Sequence, residues 1–277
     1  MKKNRLLPYI LLLMAIPALV ISIASKDPSP ADGAGLTLPS GFEANIVADN
    51  LGSARHIAIT NQGDIYVKLN RAKNGKVVLY LHQTGDKATV VNGFGNYAGT
   101  GMYIKDGYLY ASSNEDVYRY KLNDKGEVIN PSAPERIVVG LLNRHEHESK
   151  SVVLDNNGNI YVNVGAYSNS CQEKDRQKGS MGRKGCPILD SAGGIWEFKA
   201  DKLNQHYGDG IRYFVVFQPF KDGKPDGKWE VFADGFAGTQ VQKESGNAIH
   251  RPCGLAQGPD GSLYVTDDNK GTIYKIS

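Results

Sequence analysis

The sequence predicts an all-β fold: a β-propeller of about five four-stranded blades, preceded by an N-terminal signal or anchor helix. Three observations predict it. One turn-and-strand unit recurs along the chain, short apolar strands flank each copy, and no convincing amphipathic helix interrupts them. The copies read "NQGDIYV" at Asn61–Val67, "KDGYLYA" at Lys105–Ala111, "NNGNIYV" at Asn156–Val162 and "PDGSLYV" at Pro259–Val265. Each is a turn ending in Gly, one further residue, and an alternating apolar-Tyr-apolar strand. Glycine supplies a positive φ there, and Asn or Asp tolerates the neighbouring position.

The strands follow in order. A short apolar segment leads each copy: "RHIAIT", "GMYI", "SKSVVL" and "CGLAQG". A second strand trails each copy: "KVVLYLH", "DVYRYKL", "GGIWEFKA" and "GTIYKIS". Each unit therefore offers three strands, with room for a fourth. The turn glycines Gly63, Gly107, Gly158 and Gly261 are spaced 44, 51 and 103 residues apart. The last gap is about twice the others, which places a fifth turn near Gly210 in "GDGIRYFVVF". A unit of this kind cannot bury both faces of its sheet alone, so blades must stack around a central channel. A β-sandwich is the alternative architecture.

Residues 1–25 read as the signal peptide or anchor, 26–35 as a linker, and 36–277 as the propeller domain. "MKKNR" is a positive n-region, and the next 19 residues, Leu6 to Ala24, carry no charge. That length is just long enough to span a bilayer, while Pro8 and Pro17 weaken a rigid spanning helix and the small residues near Ala24 suit cleavage. The expected location is the periplasm or outside the cell, with membrane attachment only through this segment. The net charge of +3, without a Lys/Arg run beyond the first five residues, excludes a nucleic-acid footprint. There is no phosphate-binding Gly-rich loop and no Gly-x-Ser-x-Gly elbow. Of the three cysteines, Cys171 and Cys186 are placed to close a loop of about 15 residues, worth about 3 kcal/mol in the chain-entropy model. Two buried thiols are the alternative. The odd count leaves at least one thiol over.

Four stretches carry a family resemblance: "LPSGFEANIVADNLGSARHIAITNQGDIYV", "GMYIKDGYLYASSNEDVYRYKL", "HESKSVVLDNNGNIYVNVGAYSNSCQEKDR" and "HRPCGLAQGPDGSLYVTDD". Together they resemble the soluble quinoprotein sugar dehydrogenases, the pyrroloquinoline quinone (PQQ)-dependent glucose, sorbosone and pyranose dehydrogenase propellers. The resemblance implies an exported enzyme that oxidises a sugar hydroxyl, or a sorbosone-like aldehyde, with hydride transfer to PQQ. It implies a small sugar as substrate and an external cytochrome or quinone as electron acceptor. His147 then matches the family's catalytic base at the start of the third inner strand. Arg251 matches an Arg that faces the quinone, whose three carboxylates suit a planar guanidinium fork. Lys150 stands where sorbosone-type members tend to have an Arg, and is a further cofactor-binding candidate.

The chain also departs from that family. Its members are longer and six-bladed, and they carry a Gly-Leu-Arg-Asn-type stretch and a Ca²⁺ site after the third unit. This chain has no Leu-Arg-Asn, and it runs from "ADKLNQHYGDGIRY" directly into "FVVFQPFKDGKPDGKWEVFADGF". On that comparison a middle segment is missing between about Asp209 and Phe214, Gly210 marks a junction and not a turn, and the Ca²⁺ site is missing with it.

Other readings of the same residues stay open. His147 in "NRHEHESK" also reads as a surface histidine, with Glu146 placed to orient its ring, or with His145 as half of a metal site that lacks a third ligand. Asp267 and Asp268 in "TDDNKG" read as an inter-strand turn before a Ca²⁺ loop. Two further functions compete: a non-catalytic propeller that has lost the pocket, and a gluconolactonase-like hydrolase. The latter needs carboxylates at the blade starts, where this chain has Arg55, His147 and Arg251.

Overall fold

The computed structural model describes residues 34–168, 171–184, 186–213, 249–250 and 252–277. The expected signal or anchor segment, Arg251, and residues 214–248 lie outside the described residues. Within them the chain is all β, apart from two single 3-10 turns. The first strand, β1 (Ala44–Ala48), does not open the first sheet. That sheet comprises β2 (Ala54–Ile59), β3 (Ile65–Lys73), β4 (Lys76–Thr84) and β5 (Lys87–Phe94), in sequence order. The second follows the same order with β6 (Met102–Lys105), β7 (Tyr108–Ser112), β8 (Val117–Lys121) and β9 (Glu135–Val139). The third contains β10 (Val152–Leu154), β11 (Asn159–Val164), β12 (Gly194–Lys199) and β14 (Ile211–Tyr213). Between the last two, β13 (Gln205–His206) crosses back and pairs in parallel with β9.

The last sheet contains β15 (Pro252–Gln257), β16 (Leu263–Asp267) and β17 (Thr272–Ile276), with β1 as its outermost strand. Ala44, Asn45 and Ile46 lie opposite Ile276, Lys275 and Tyr274. Beyond them the backbones of Glu43 and Ser277 exchange two hydrogen bonds, of 2.9 and 3.0 Å. "ANIVA" thus supplies the fourth strand of the last blade.

The repeat glycines adopt the predicted conformation, with φ of 93° at Gly63, 75° at Gly107, 76° at Gly158 and 86° at Gly261. Asp106 joins Gly107 at positive φ, giving the primed two-residue turn whose twist matches an antiparallel hairpin. Gly210 differs. Its φ of −75° and ψ of 141° are extended, and it closes a 3-10 turn at Tyr207–Asp209 before β14 completes the third blade. It is not a fifth repeat turn, and the described residues form four blades.

Blades neighbour one another through their first strands, in the order β15, β2, β6, β10. The core lies between sheets, as period-two strands with two apolar faces require. Ile57, Val67 and Leu81 of the first blade meet Val47, Tyr264 and Ile273 of the last. Tyr66, Val78 and Tyr80 meet Met102, Leu109 and Tyr120 across the next seam. Ile137 and Val138 meet Ile160, Val162 and Trp196 across the third. Gln205 staples that third seam by donating to the carbonyls of Lys199 at 2.7 Å and Ile137 at 3.3 Å.

At the axial end of these seams backbones nearly touch. A Cβ on Gly101 would lie 2.0 Å from the Lys150 carbonyl oxygen, and one on Gly254 would lie 2.9 Å from that of Arg55. Gly101→Ala is therefore expected to destabilise the protein by about 1–3 kcal/mol, the range for an overpacked core. Gly208→Ala, with nothing within 4 Å of the new methyl, is expected to leave the urea midpoint unchanged. Equal midpoints for the two variants would contradict this account of the seam.

Candidate active site at the axial mouth

The first strands of all four described blades begin around one cavity of about 340 Å³. Arg55 and His56 enter from β2, Thr100 precedes β6, Ser151 precedes β10, and Pro252 and Cys253 open β15. Asp268, from the turn between β16 and β17, completes the lining. The convergence follows from the repeat: each unit starts its inner strand at the same end of the ring, so the residues just ahead of those strands meet at the axis.

Two buried lysines stand behind this wall. Lys68 lies opposite His56 in the β2–β3 ladder and is 0 % exposed. Its ammonium donates to the carbonyls of Gly99 at 2.6 Å and of Tyr97 and Leu69 at 3.3 Å, and it lies 4.8 Å from the centre of the Tyr97 ring. Lys150, 1 % exposed, donates to the Glu148 carbonyl at 2.5 Å, while its own carbonyl accepts a bond from the Ser112 hydroxyl. Among the described residues neither ammonium has a carboxylate in ion-pair contact. Loss of hydration pushes Lys68 down to about 7 and Lys150 down to about 8, the latter opposed by Glu148 and Glu115. Burial also holds the His56 imidazole below its ordinary value, helped by the Arg55 charge and opposed by a bond to the Thr100 backbone.

The carboxylates at the mouth are engaged. Asp268 Oδ2 accepts from Arg55 Nη1 at 2.9 Å, and Asp267 Oδ2 lies 2.6 Å from His250 Nδ1. Asp267 and Asp268 do form the expected turn, in which the Asn269 amide donates to Asp267 Oδ1 at 2.8 Å. They also anchor an arginine and a histidine, which the turn reading did not include. Cys253 is in no disulfide, and burial together with nearby Asp268 pushes its thiol pKa up.

His147 lies five residues before β10, not at its start, at a φ of 45°. Because His145 is also left-handed, at 60°, strand alternation does not put the two rings on one side. The ring of His147 is exposed, and its Nδ1 lies 2.5 Å from the Ala166 carbonyl oxygen. A carbonyl only accepts, so Nδ1 carries the proton and Nε2 keeps a lone pair in the neutral ring. Glu146 was the expected partner, but it pairs instead with Arg176, Oε2 to Nη2 at 2.6 Å. Cys171 and Cys186 form the disulfide, with Cα atoms 5.8 Å apart. No group of three or more His, Cys, Asp or Glu side chains suited to a metal occurs among the described residues.

The structure thus gathers Arg55, His56 and Ser151 at one cavity and buries Lys150, the residue before Ser151; His147, in the loop ahead of β10, is not among the lining residues. The sequence did not single out His56, Lys68 or His250. Two signals were readable: the Arg-His pair in "ARHIAI" mirrors "HRP" ahead of the last inner strand, and Lys68 interrupts the apolar run "IYVKL".

The displaced lysine fixes the sign of a pH dependence. Between about 7 and 10.5 the unfolded chain holds a proton on Lys68 that the folded chain has released. Stability from this group therefore rises with pH across that window and is diminished below it. Urea unfolding at pH 6, 8 and 10 is expected to show this gain in the wild type and a smaller gain in Lys68→Met. Parallel pH profiles for the two proteins would contradict the assignment.

Residues 36–212 match the TrAA12-like family. The fold is similar to the iodide structure of the Trichoderma reesei carbohydrate-active enzyme of family AA12, with a TM-score of 0.63 at 13 % identity over 87 % of this chain and 97 % of that one. The calcium structure from the same organism gives 0.62 at 11 % over 92 % and 99 %. The holo PQQ domain of pyranose dehydrogenase from Coprinopsis cinerea gives 0.60 at 14 % over 90 % and 98 %. At these identities the likeness carries the propeller fold. No curated protein matches the chain in sequence. With the family match spanning well over half of its length, the chain belongs to the TrAA12-like family.

Proposed function

We propose that this protein is an exported PQQ-dependent dehydrogenase that oxidises the hydroxyl of an aldose or related pyranose, or a sorbosone-like aldehyde. The observation that carries the proposal is the axial cavity, with Arg55 on its wall and the Lys68 and Lys150 ammonium groups buried behind it without carboxylate contact among the described residues. A small anion with several carboxylates suits such a wall, because its charge favours the protonated forms of two amines that burial alone displaces. Arg55 is the first candidate to hold it, with Lys150 beside it, and Thr100 and Ser151 can add hydroxyl bonds. Arg251, next to Pro252 in the chain, belongs with this group in the proposal. When bound, PQQ supplies the hydride acceptor.

The chain's own contribution is binding and proton removal. His147 accepts the substrate hydroxyl proton on Nε2, the nitrogen that its bond to the Ala166 carbonyl leaves available. His56 is a second imidazole at the cavity wall, kept neutral by burial. Calcium is named only because a calcium structure exists for one structural relative; the family's Ca²⁺ stretch is missing from the sequence, and no group of three or more His, Cys, Asp or Glu suited to hold a metal occurs among the described residues. Export is supported by the Cys171–Cys186 disulfide, which persists in oxidising compartments, and by the charge and apolar pattern of residues 1–25. The electron acceptor is proposed as a cytochrome or a quinone.

A non-catalytic scaffold is the second reading. It is favoured by the Arg55–Asp268 ion pair, which already occupies part of the guanidinium fork. Calorimetric titration of the mature domain with PQQ and Ca²⁺, followed by dye reduction with a panel of aldoses, separates the two. Saturable quinone binding with turnover is the expected result. His147→Ala is expected to retain binding and lose turnover by about 100-fold or more, the usual contribution of a general base. Arg55→Ala is expected to weaken quinone binding at least tenfold, with a smaller effect on turnover at saturation. Absence of quinone binding by the wild type would leave the scaffold reading standing.

A further inference from the structure

The segment between β11 and β12 leaves the third sheet at Val164 and re-enters it at Gly194, at the end of the blade where the His147 loop lies. It has its own internal order. The Arg183 amide donates to the Cys171 carbonyl at 2.9 Å, the Glu173 amide donates to the Met181 carbonyl at 2.9 Å, and Gln172 and Gly182 form an antiparallel bridge. The disulfide closes this small hairpin. From Gln172, beside the disulfide, the side-chain oxygen accepts the Arg176 amide at 3.1 Å. Arg176 in turn reaches Glu146, the residue before His147.

Contacts at the root of the segment bear on the same loop. The Ala166 carbonyl holds His147 Nδ1 at 2.5 Å, and Arg144 lies over the Tyr167 ring at 5.8 Å. A Cβ on Gly165 would come within 2.4 Å of the His147 carbonyl oxygen, so the two backbones pack without space between them. The loop therefore holds His147 from two sides: directly at Ala166, and through the disulfide, Gln172, Arg176 and Glu146.

We infer that the disulfide-closed loop is the positioning device for the His147 imidazole, and that the thiol–disulfide state of Cys171 and Cys186 sets the tautomer of that ring. With the disulfide intact, Nδ1 is pinned as the donor and Nε2 faces outward as the base. An exposed ion pair such as Arg176–Glu146 is weak when its partners are free to move, so its hold on the loop depends on the covalent closure. Reduction by a dithiol breaks the S–S bond: the dithiol's two thiol protons and two electrons pass to the cysteine sulfurs, and the dithiol closes to its own disulfide. The hairpin then loses its closure, Arg176 leaves Glu146, and the ring returns to the mixture dominated by the Nε2–H form. Arg144, His145, Glu146, Glu148, Asp175 and Arg176 are among the charged or titratable groups around this loop, so the comparison is made at one fixed pH.

The inference rests on the proposed role of His147, but its test does not require turnover. The readout is the pair of imidazole ¹⁵N chemical shifts of His147 in the full mature domain, before and after treatment with dithiothreitol and in Cys171→Ser/Cys186→Ser. The oxidised protein is expected to give a protonated-type Nδ1 and an unprotonated-type Nε2, and both perturbations are expected to move the two shifts toward one another. Arg176→Gln, which leaves the disulfide in place, is expected to give a partial movement. It also serves as the decisive variant should the double serine variant fail to fold. The charge-swapped pair Arg176→Glu/Glu146→Arg is expected to restore the wild-type shifts. Unchanged shifts in the folded, fully reduced protein and in Arg176→Gln would overturn the inference. Failure of the wild type to bind PQQ would instead overturn the cofactor reading and leave the tautomer result intact.

Discussion

Blades can meet at the axis only where backbone passes backbone without a side chain between them. Gly101 against the Lys150 carbonyl, and Gly254 against that of Arg55, are two places where this happens. Because these contacts sit at the starts of the inner strands, they bring Thr100, Ser151, Arg55 and Cys253 around one opening. The apolar clusters further out supply most of the cohesion, since each draws on two neighbouring sheets. The axial contacts decide where the blades stop approaching, and so fix the size of the cavity.

Buried lysines reinforce the same seams. Lys68 belongs to the first blade, yet it bonds to carbonyls at Tyr97 and Gly99 on the way into the second. Lys150 and Ser112 tie the second blade to the third, since the Ser112 hydroxyl accepts the Gly101 amide and donates to the Lys150 carbonyl. Carbonyl oxygens satisfy an ammonium's donors without neutralising it. Two amines therefore lie close to the lining with no carboxylate in ion-pair contact among the described residues, so an anion bound there would favour their protonated forms, while Asp267 and Asp268 are held in contacts with His250 and Arg55. This arrangement, and not any one motif, is what makes an anionic cofactor a physically sensible occupant.

The imidazoles near this mouth are held in different ways. His147 is exposed and oriented by a neutral carbonyl, so its free nitrogen is presented without a charged neighbour in direct contact. His250 is held by a fully buried carboxylate, with Nδ1 2.6 Å from Asp267 Oδ2. His56 is half-buried against Arg55, which favours its neutral form.

The propeller was legible in the sequence because its signals are local. A positive-φ glycine followed by alternating apolar residues specifies a turn and a strand wherever it occurs, and four copies at regular spacing specify a ring of sheets. The turn at Asp267–Asp268 was readable for the same reason, whereas the Cys171–Cys186 pairing stayed open against two buried thiols until the structure closed it. The rest depended on contacts between residues far apart in the chain. Nothing in "ANIVA" says that it pairs with the last strand and not the next one, because edge pairing is set by ring closure. Gly210 resembled a turn glycine until β14 joined β12, which required an extended backbone there. His147 was found by resemblance, but its partner was not: Glu146 is adjacent in sequence, while Ala166 lies 19 residues on and reaches the ring only through the fold of the next loop. Local backbone chemistry thus determined what the units are. Only their packing decided which charges are buried, which carboxylates are taken, and which residues meet at the axis, because desolvation and ion pairing act between groups that the chain itself keeps far apart.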